Sequence, residues 1–163
     1  MNPSSQAQPH QTDQDKQTIA YIEAIMYQFK DSINAKDFRM PHEVKPGEQP
    51  SIWRYMADYF DTEQDLVQKT QATTPGPSKF GLKETLESYK MAGAAYPDFH
   101  IEVKEMKTDL DVKAGWATVF VNLESSGLPK EVTRTSVTVF DWKRRNGEWK
   151  CVSSWAANGM PGI

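Results

Sequence analysis

Apolar residues follow two rhythms along this chain, and the change between them falls near Tyr96-Pro97. In the first half, Ile19, Ile22, Met26, Phe29 and Ile33 recur at three- and four-residue steps. That spacing predicts one amphipathic helix over about Asp13–Asn34, with Thr12 or Asp13 as its N-cap. In SIWRYMADYFD, Trp53, Met56 and Phe60 share one helical stripe and Tyr55 and Tyr59 the next, which predicts a second, short helix. DLVQKTQAT reads as a short strand and TPGPS as a turn. A third helix, capped by Ser78, carries Leu82, Leu86, Tyr89 and Gly93 and ends near Ala95, because the residue before a proline is pushed out of helical geometry.

Beyond Phe99 the period becomes two. His100 to Thr108, Gly115 to Glu124, Val132 to Trp142 and Trp149 to Ala157 all alternate as strands. Asn146-Gly147 marks a tight hairpin between the last two. Helices first and hairpin-linked strands afterwards make an α+β pattern. The expected architecture is a curved, mostly antiparallel sheet wrapped around about three N-terminal helices, forming a cone with an internal pocket. Both faces of the strands are rich in apolar residues and hydroxyls. In the last strand Trp149, Cys151, Ser153 and Trp155 are expected on one face and Val152 and Ser154 on the other. Such strands want cover on both sides, and a sheet face with several aromatics is a large patch for a monomer. The cover is expected from a partner subunit, making a homodimer, or from the loop at residues 38–51.

Composition adjusts this picture at the ends. The first 17 residues hold no large aliphatic or aromatic side chain beyond Met1, so they cannot fold alone. Residues 1–13 are read as a disordered polar tail, 14–158 as a single domain and 159–163 as a C-terminal tail. The loop FRMPHEVKPGEQPS, residues 38–51, has three prolines and a glycine and reads as a lid or insertion. No segment matches a signal peptide, a mitochondrial presequence or a membrane span. Net charge is −3, from 22 acidic and 19 basic residues. That argues against nucleic acid or an anionic membrane as partner. A single cysteine, Cys151, excludes an intrachain disulfide and a cysteine-based zinc site, and the expected location is cytoplasmic.

The order of elements, the YPDFH junction and the VFDWKRRNGEWK hairpin resemble the SnoaL-like branch of the nuclear-transport-factor-two-like superfamily. The resemblance covers roughly Asp15 to Asn158. It implies the cone and, among its members, polyketide cyclases, ketosteroid isomerases, scytalone dehydratases and proteins without known catalysis. A deep apolar cavity moves a carboxylate or imidazole pKa toward neutrality, and such a group can shuttle a proton beside a carbonyl without metal or cofactor. The cyclases that this chain resembles carry an aspartate toward the end of the final strand. Here that stretch is Ser153-Ser154-Trp155-Ala156-Ala157-Asn158-Gly159, without a carboxylate.

The candidate residues follow. His100 opens a strand and Asp58 lies beside the Tyr55/Tyr59 stripe; either is a candidate proton shuttle. Arg134 stands among Val, Thr, Ser and Phe and can meet a carboxylate or enolate oxygen. Tyr55, Tyr59, Ser136 and Asn158 are candidate polar contacts, and Trp53, Phe120 and Trp155 candidate apolar ones. The leading expectation is a cofactor-free isomerase, cyclase or dehydratase acting on a small hydrophobic, polyketide- or terpenoid-like carbonyl compound. The alternative is a non-catalytic dimeric module of the same fold that binds a small molecule or docks a protein. An ionisable group at the pocket floor separates the two.

Overall fold

The computed structural model describes residues 11–62 and 80–157, with the side chains of 58–62, 80 and 156–157 left undescribed. Helix α1, Asp13–Asn34, starts at a capping box. The Thr12 hydroxyl accepts from the Asp15 amide at 3.0 Å, and the Asp15 carboxylate accepts from the Thr12 amide at 3.2 Å. Two otherwise unpaired donors are thereby satisfied. Its stripe of Ile22, Ile25, Met26 and Phe29 is buried, at about 2–3 kcal/mol of favourable transfer free energy per side chain.

The expected second helix is instead a 3₁₀ turn, Ile52–Tyr55, running into strand β1, Met56–Thr62. Tyr55 therefore stands on the turn and Asp58 and Tyr59 on a strand, so the helical face that was to group them does not form. Pairing with distant strands overrides the local spacing: β1 runs parallel to β6 (Glu148–Ala157) and antiparallel to the two-residue β2 (Phe80–Gly81). The DLVQKTQAT, TPGPS and Ser78 expectations lie outside the described residues. Helix α2, Leu82–Ala95, has Gly81 as its N-cap.

Strands β3 (His100–Asp111), β4 (Trp116–Ser126), β5 (Thr133–Arg145) and β6 follow as an antiparallel meander. The sheet order is β2-β1-β6-β5-β4-β3, a mixed sheet against which the helices pack in an NTF2-like cone. Asn146 and Gly147 both have positive φ, at 53° and 77°, the conformation that a two-residue hairpin turn needs.

Two irregularities change which residues look inward. In β3 the register shifts between Val103 and Glu105, so that Val103 and Met106 pair with Leu123 and Val121. In β6 the partners of Asp141 and Trp142 are Ser153 and Cys151, which makes Val152 an extra residue. That bulge puts Ser153 and Trp155 on the outer face, opposite Cys151, and corrects the simple alternation expected for this strand.

The loop after α1 is an anchored strap. Arg39 donates to both Asp37 oxygens at 2.9 and 3.0 Å and to Glu48 at 2.7 Å. The Ser51 hydroxyl donates to the Arg39 carbonyl at 2.7 Å, and the Trp53 indole N–H to the Asp37 carbonyl at 2.8 Å. Phe38 is thereby held in the core. Among the described residues no helix is long and apolar enough to cross a membrane.

Candidate functional site

A cavity of about 210 Å³ opens between the helices and the inner face of the sheet. Met26, Phe29, Lys30 and Ile33 reach it from α1, and Lys36 and Phe38 from the turn that follows. Helix α2 contributes Tyr89, Ala92 and Gly93, and Phe99 closes the end beside the α2–β3 junction. The sheet supplies Ile101, Val103 and Met106, then Val121 and Leu123, then Thr138 and Phe140. These positions alternate correctly only because of the β3 bulge.

The junction is fixed by two contacts. The Asn34 side chain donates to the Ile101 carbonyl and accepts from the Ile101 amide, both at 2.9 Å, so the last turn of α1 is tied to the edge strand. Gly127, at φ +83°, sits so close to the junction that an added Cβ would lie 2.3 Å from the Asp98 carbonyl oxygen. Phe99 and Ile101 consequently face the cavity.

Described lining residues include no Asp, Glu or His. The described lining residues that carry a polar end are Lys30, Lys36, Tyr89 and Thr138. Tyr89 is 37% exposed while its hydroxyl lies deep enough that burial pushes its pKa up; like any phenol it is protonated at neutral pH and can donate. Such a wall accepts an apolar guest and orients it with few polar contacts.

The residues expected at the site are distributed elsewhere. His100 is exposed and pairs with Ser126, on the side of β3 opposite Phe99 and Ile101. Arg134 is exposed and pairs with Ser125 near the β5 start. Ser136 pairs with Leu123 and is half-buried, yet it does not reach the cavity. Phe120 and Trp155 stand on the outer face, each 37% exposed. Trp53 is buried behind the cavity wall, stacked on Phe29 with ring centroids 5.3 Å apart. Tyr55 accepts from Arg54 at 3.0 Å and meets Tyr21 edge-on, away from the cavity. Asp58 and Tyr59 lie on β1 with side chains outside the described set, and Asn158 lies outside the described residues.

The wall residues missed by sequence reasoning had a signal. Met26, Phe29 and Ile33 belong to the apolar stripe of α1, and Lys30 sits within it. Continuing that stripe past the helix end leads to Lys36 and Phe38. Among the described residues no three His, Cys, Asp or Glu gather as a metal site. Cys151 is fully buried, and burial pushes its thiol pKa well above the ordinary range, which leaves it an inert core residue.

No protein-family model matches the chain, and no curated protein matches it. Solved structures do. A provisionally named dehydratase of the NTF2-like family from Streptomyces avermitilis is 19% identical, with a TM-score of 0.52 over 86% of this chain and 95% of that one. A provisionally named ketosteroid isomerase from Shewanella frigidimarina is 14% identical, with a TM-score of 0.54 over 82% of this chain and 92% of that one. Bd1075 of Bdellovibrio bacteriovorus is 9% identical, with a TM-score of 0.58 over 89% of this chain. This chain spans only 42% of Bd1075. Further matches are NTF2-like or cystatin-like proteins of unknown function. At these identities the likeness establishes the fold and nothing finer.

Proposed function

We propose that this chain, a member of the SnoaL-like branch of its fold group, binds a small, largely apolar molecule in the cone cavity. The observation that carries the reading is the wall itself: a preformed apolar cavity whose described lining holds no acid or imidazole. Its size suits a guest of one or two rings or a short acyl chain, since a dry cavity of about 150 Å³ already accepts benzene. Thr138 and Tyr89 offer a hydroxyl each to a guest carbonyl, in keeping with a polyketide- or terpenoid-like ligand. Thermal unfolding across a panel of mono- and bicyclic ketones tests the reading. Ligands at about 100 times their Kd stabilise by about 2.7 kcal/mol, and a panel that leaves Tm unmoved at saturating solubility contradicts it.

The second reading is proton-transfer catalysis on such a ketone, with Asp58 as the shuttle. It is favoured by the structural likeness to proteins named as a dehydratase and a ketosteroid isomerase. Protein-dependent loss of α-proton signal from a bound ketone in D₂O, abolished by Asp58→Asn, supports it. Unchanged exchange leaves binding alone.

We also infer that two copies pair through the outer face of the sheet. Val139 is only 2% exposed there, flanked across the strands by the half-open rings of Phe120 and Trp155. Light scattering that shows a monomer at high concentration overturns the pairing.

A further inference from the structure

We infer that the guest is an amphiphile with an anionic end, a carboxylate in the simplest case, held at the cavity rim by Lys36 with Lys30 beside it. This inference rests on the binding reading above and adds the class of ligand. The two lysines are the charged groups among the described lining residues, and both carry the same sign. Their surroundings differ. Lys30 lies 2.5 Å from Asp31, an exposed carboxylate that partly matches its charge. Lys36 has no carboxylate within 4 Å among the described residues; its ammonium donates instead to the neutral Pro97 carbonyl oxygen.

The stem of Lys36 is also held. Its Cγ, Cδ and Cε lie 3.5–3.6 Å from where a Cβ on Gly93 would stand, against the flank of α2. An ammonium so placed keeps two free N–H donors at the edge of an apolar chamber. The described lining of the cavity offers nothing to balance a positive charge on the guest. An apolar body inside and an anion at the rim therefore satisfy both parts of the site, whereas a cationic guest would meet repulsion from two lysines.

Three probes share one ring system and differ in charge: 1-naphthoate, 1-naphthalenemethanol and 1-naphthalenemethylamine, each titrated calorimetrically at low salt. The carboxylate is expected to bind about tenfold tighter than the alcohol, and the amine more weakly than the alcohol. Lys36→Met should reduce the carboxylate's advantage to about twofold while leaving the alcohol's Kd within about threefold, and Lys36→Arg should recover most of it. Lys36→Gln serves if the Met variant does not fold. Equal binding of carboxylate and alcohol by the unaltered protein overturns the inference and leaves the cavity reading standing. So does an advantage that survives in both Lys36→Met and Lys30→Met. Binding of none of the three overturns the cavity reading and this inference together.

Discussion

On strand β4, Ala117, Val119 and Val121 look inward and are buried, while their immediate neighbours Trp116, Thr118 and Phe120 stand on the outer face. Where the inner side of the sheet meets the cavity, the described wall is apolar apart from the Thr138 and Tyr89 hydroxyls and two lysines at the rim. The outer side is organised by polarity. The Trp116 indole donates to Thr118 at 3.2 Å, and Thr118 donates to Asp141 at 3.0 Å. Ser153 donates to the second Asp141 oxygen at 2.7 Å, so one carboxylate ties β4 to β6 across β5. This braced carboxylate lies on the side of the sheet away from the cavity. The same strands can hold a greasy guest on one face and a hydrogen-bonded brace on the other, because alternation and one bulge keep the two chemistries apart.

Four substitutions probe this division, from the largest expected effect to the smallest. Phe29→Ala removes a ring stacked on Trp53 at 5.3 Å and on Trp142 at 6.1 Å; a stability loss of about 3–5 kcal/mol in chemical denaturation is expected. Gly127→Ala sets a Cβ 2.3 Å from the Asp98 carbonyl at a φ of +83°, which should cost roughly 2–3 kcal/mol. It should also displace Phe99 from the cavity end, visible as weakened binding of a naphthalene-sized probe. Asp141→Ala breaks the outer brace and should cost about 1–2 kcal/mol while leaving probe affinity unchanged; a lost affinity would show that the two faces are coupled.

The smallest effect concerns the strap. Hydrogen bonds from Arg39 hold the Asp37 carboxyl below the usual carboxylate range. A depressed folded-state pKa means stability that is present above the unfolded value of about 3.9 and is lost as pH falls through the folded one. Asp37→Asn should therefore flatten the acid limb of a Tm-against-pH curve by a small amount, because the pair is partly exposed. An unchanged acid limb would show that Glu48, Ser51 and Trp53 hold the strap without the Asp37 carboxylate.

Much of this division is legible in the sequence, and the exceptions have physical causes. The α1 stripe, the four long strands and the Asn146-Gly147 turn are local patterns, and they read directly. Trp53, Met56 and Phe60 fit a helical spacing equally well, yet Met56 pairs with Cys151 far along the chain, and that partner decides in favour of a strand. The bulges at Lys104 and Val152 leave no mark on alternation, so Ser153 and Trp155 were expected on the wrong side. Proline content made residues 38–51 read as a lid, whereas the side-chain bonds of Asp37, Arg39, Glu48 and Ser51 make them a strap. The cavity was expected from the fold resemblance, but its described wall draws as much on α1 and α2 as on the sheet, and on a helix apolar spacing signals core and cavity alike.

The most direct test of a dry inner wall that takes a guest is a methyl-detected NMR titration with 1-naphthalenemethanol, a neutral probe independent of the lysines. The account expects saturable shifts at Ile33, Ile101, Val103, Val121 and Leu123, with Val139 on the outer face unmoved. Shifts confined to Val139, or none that saturate, would contradict it.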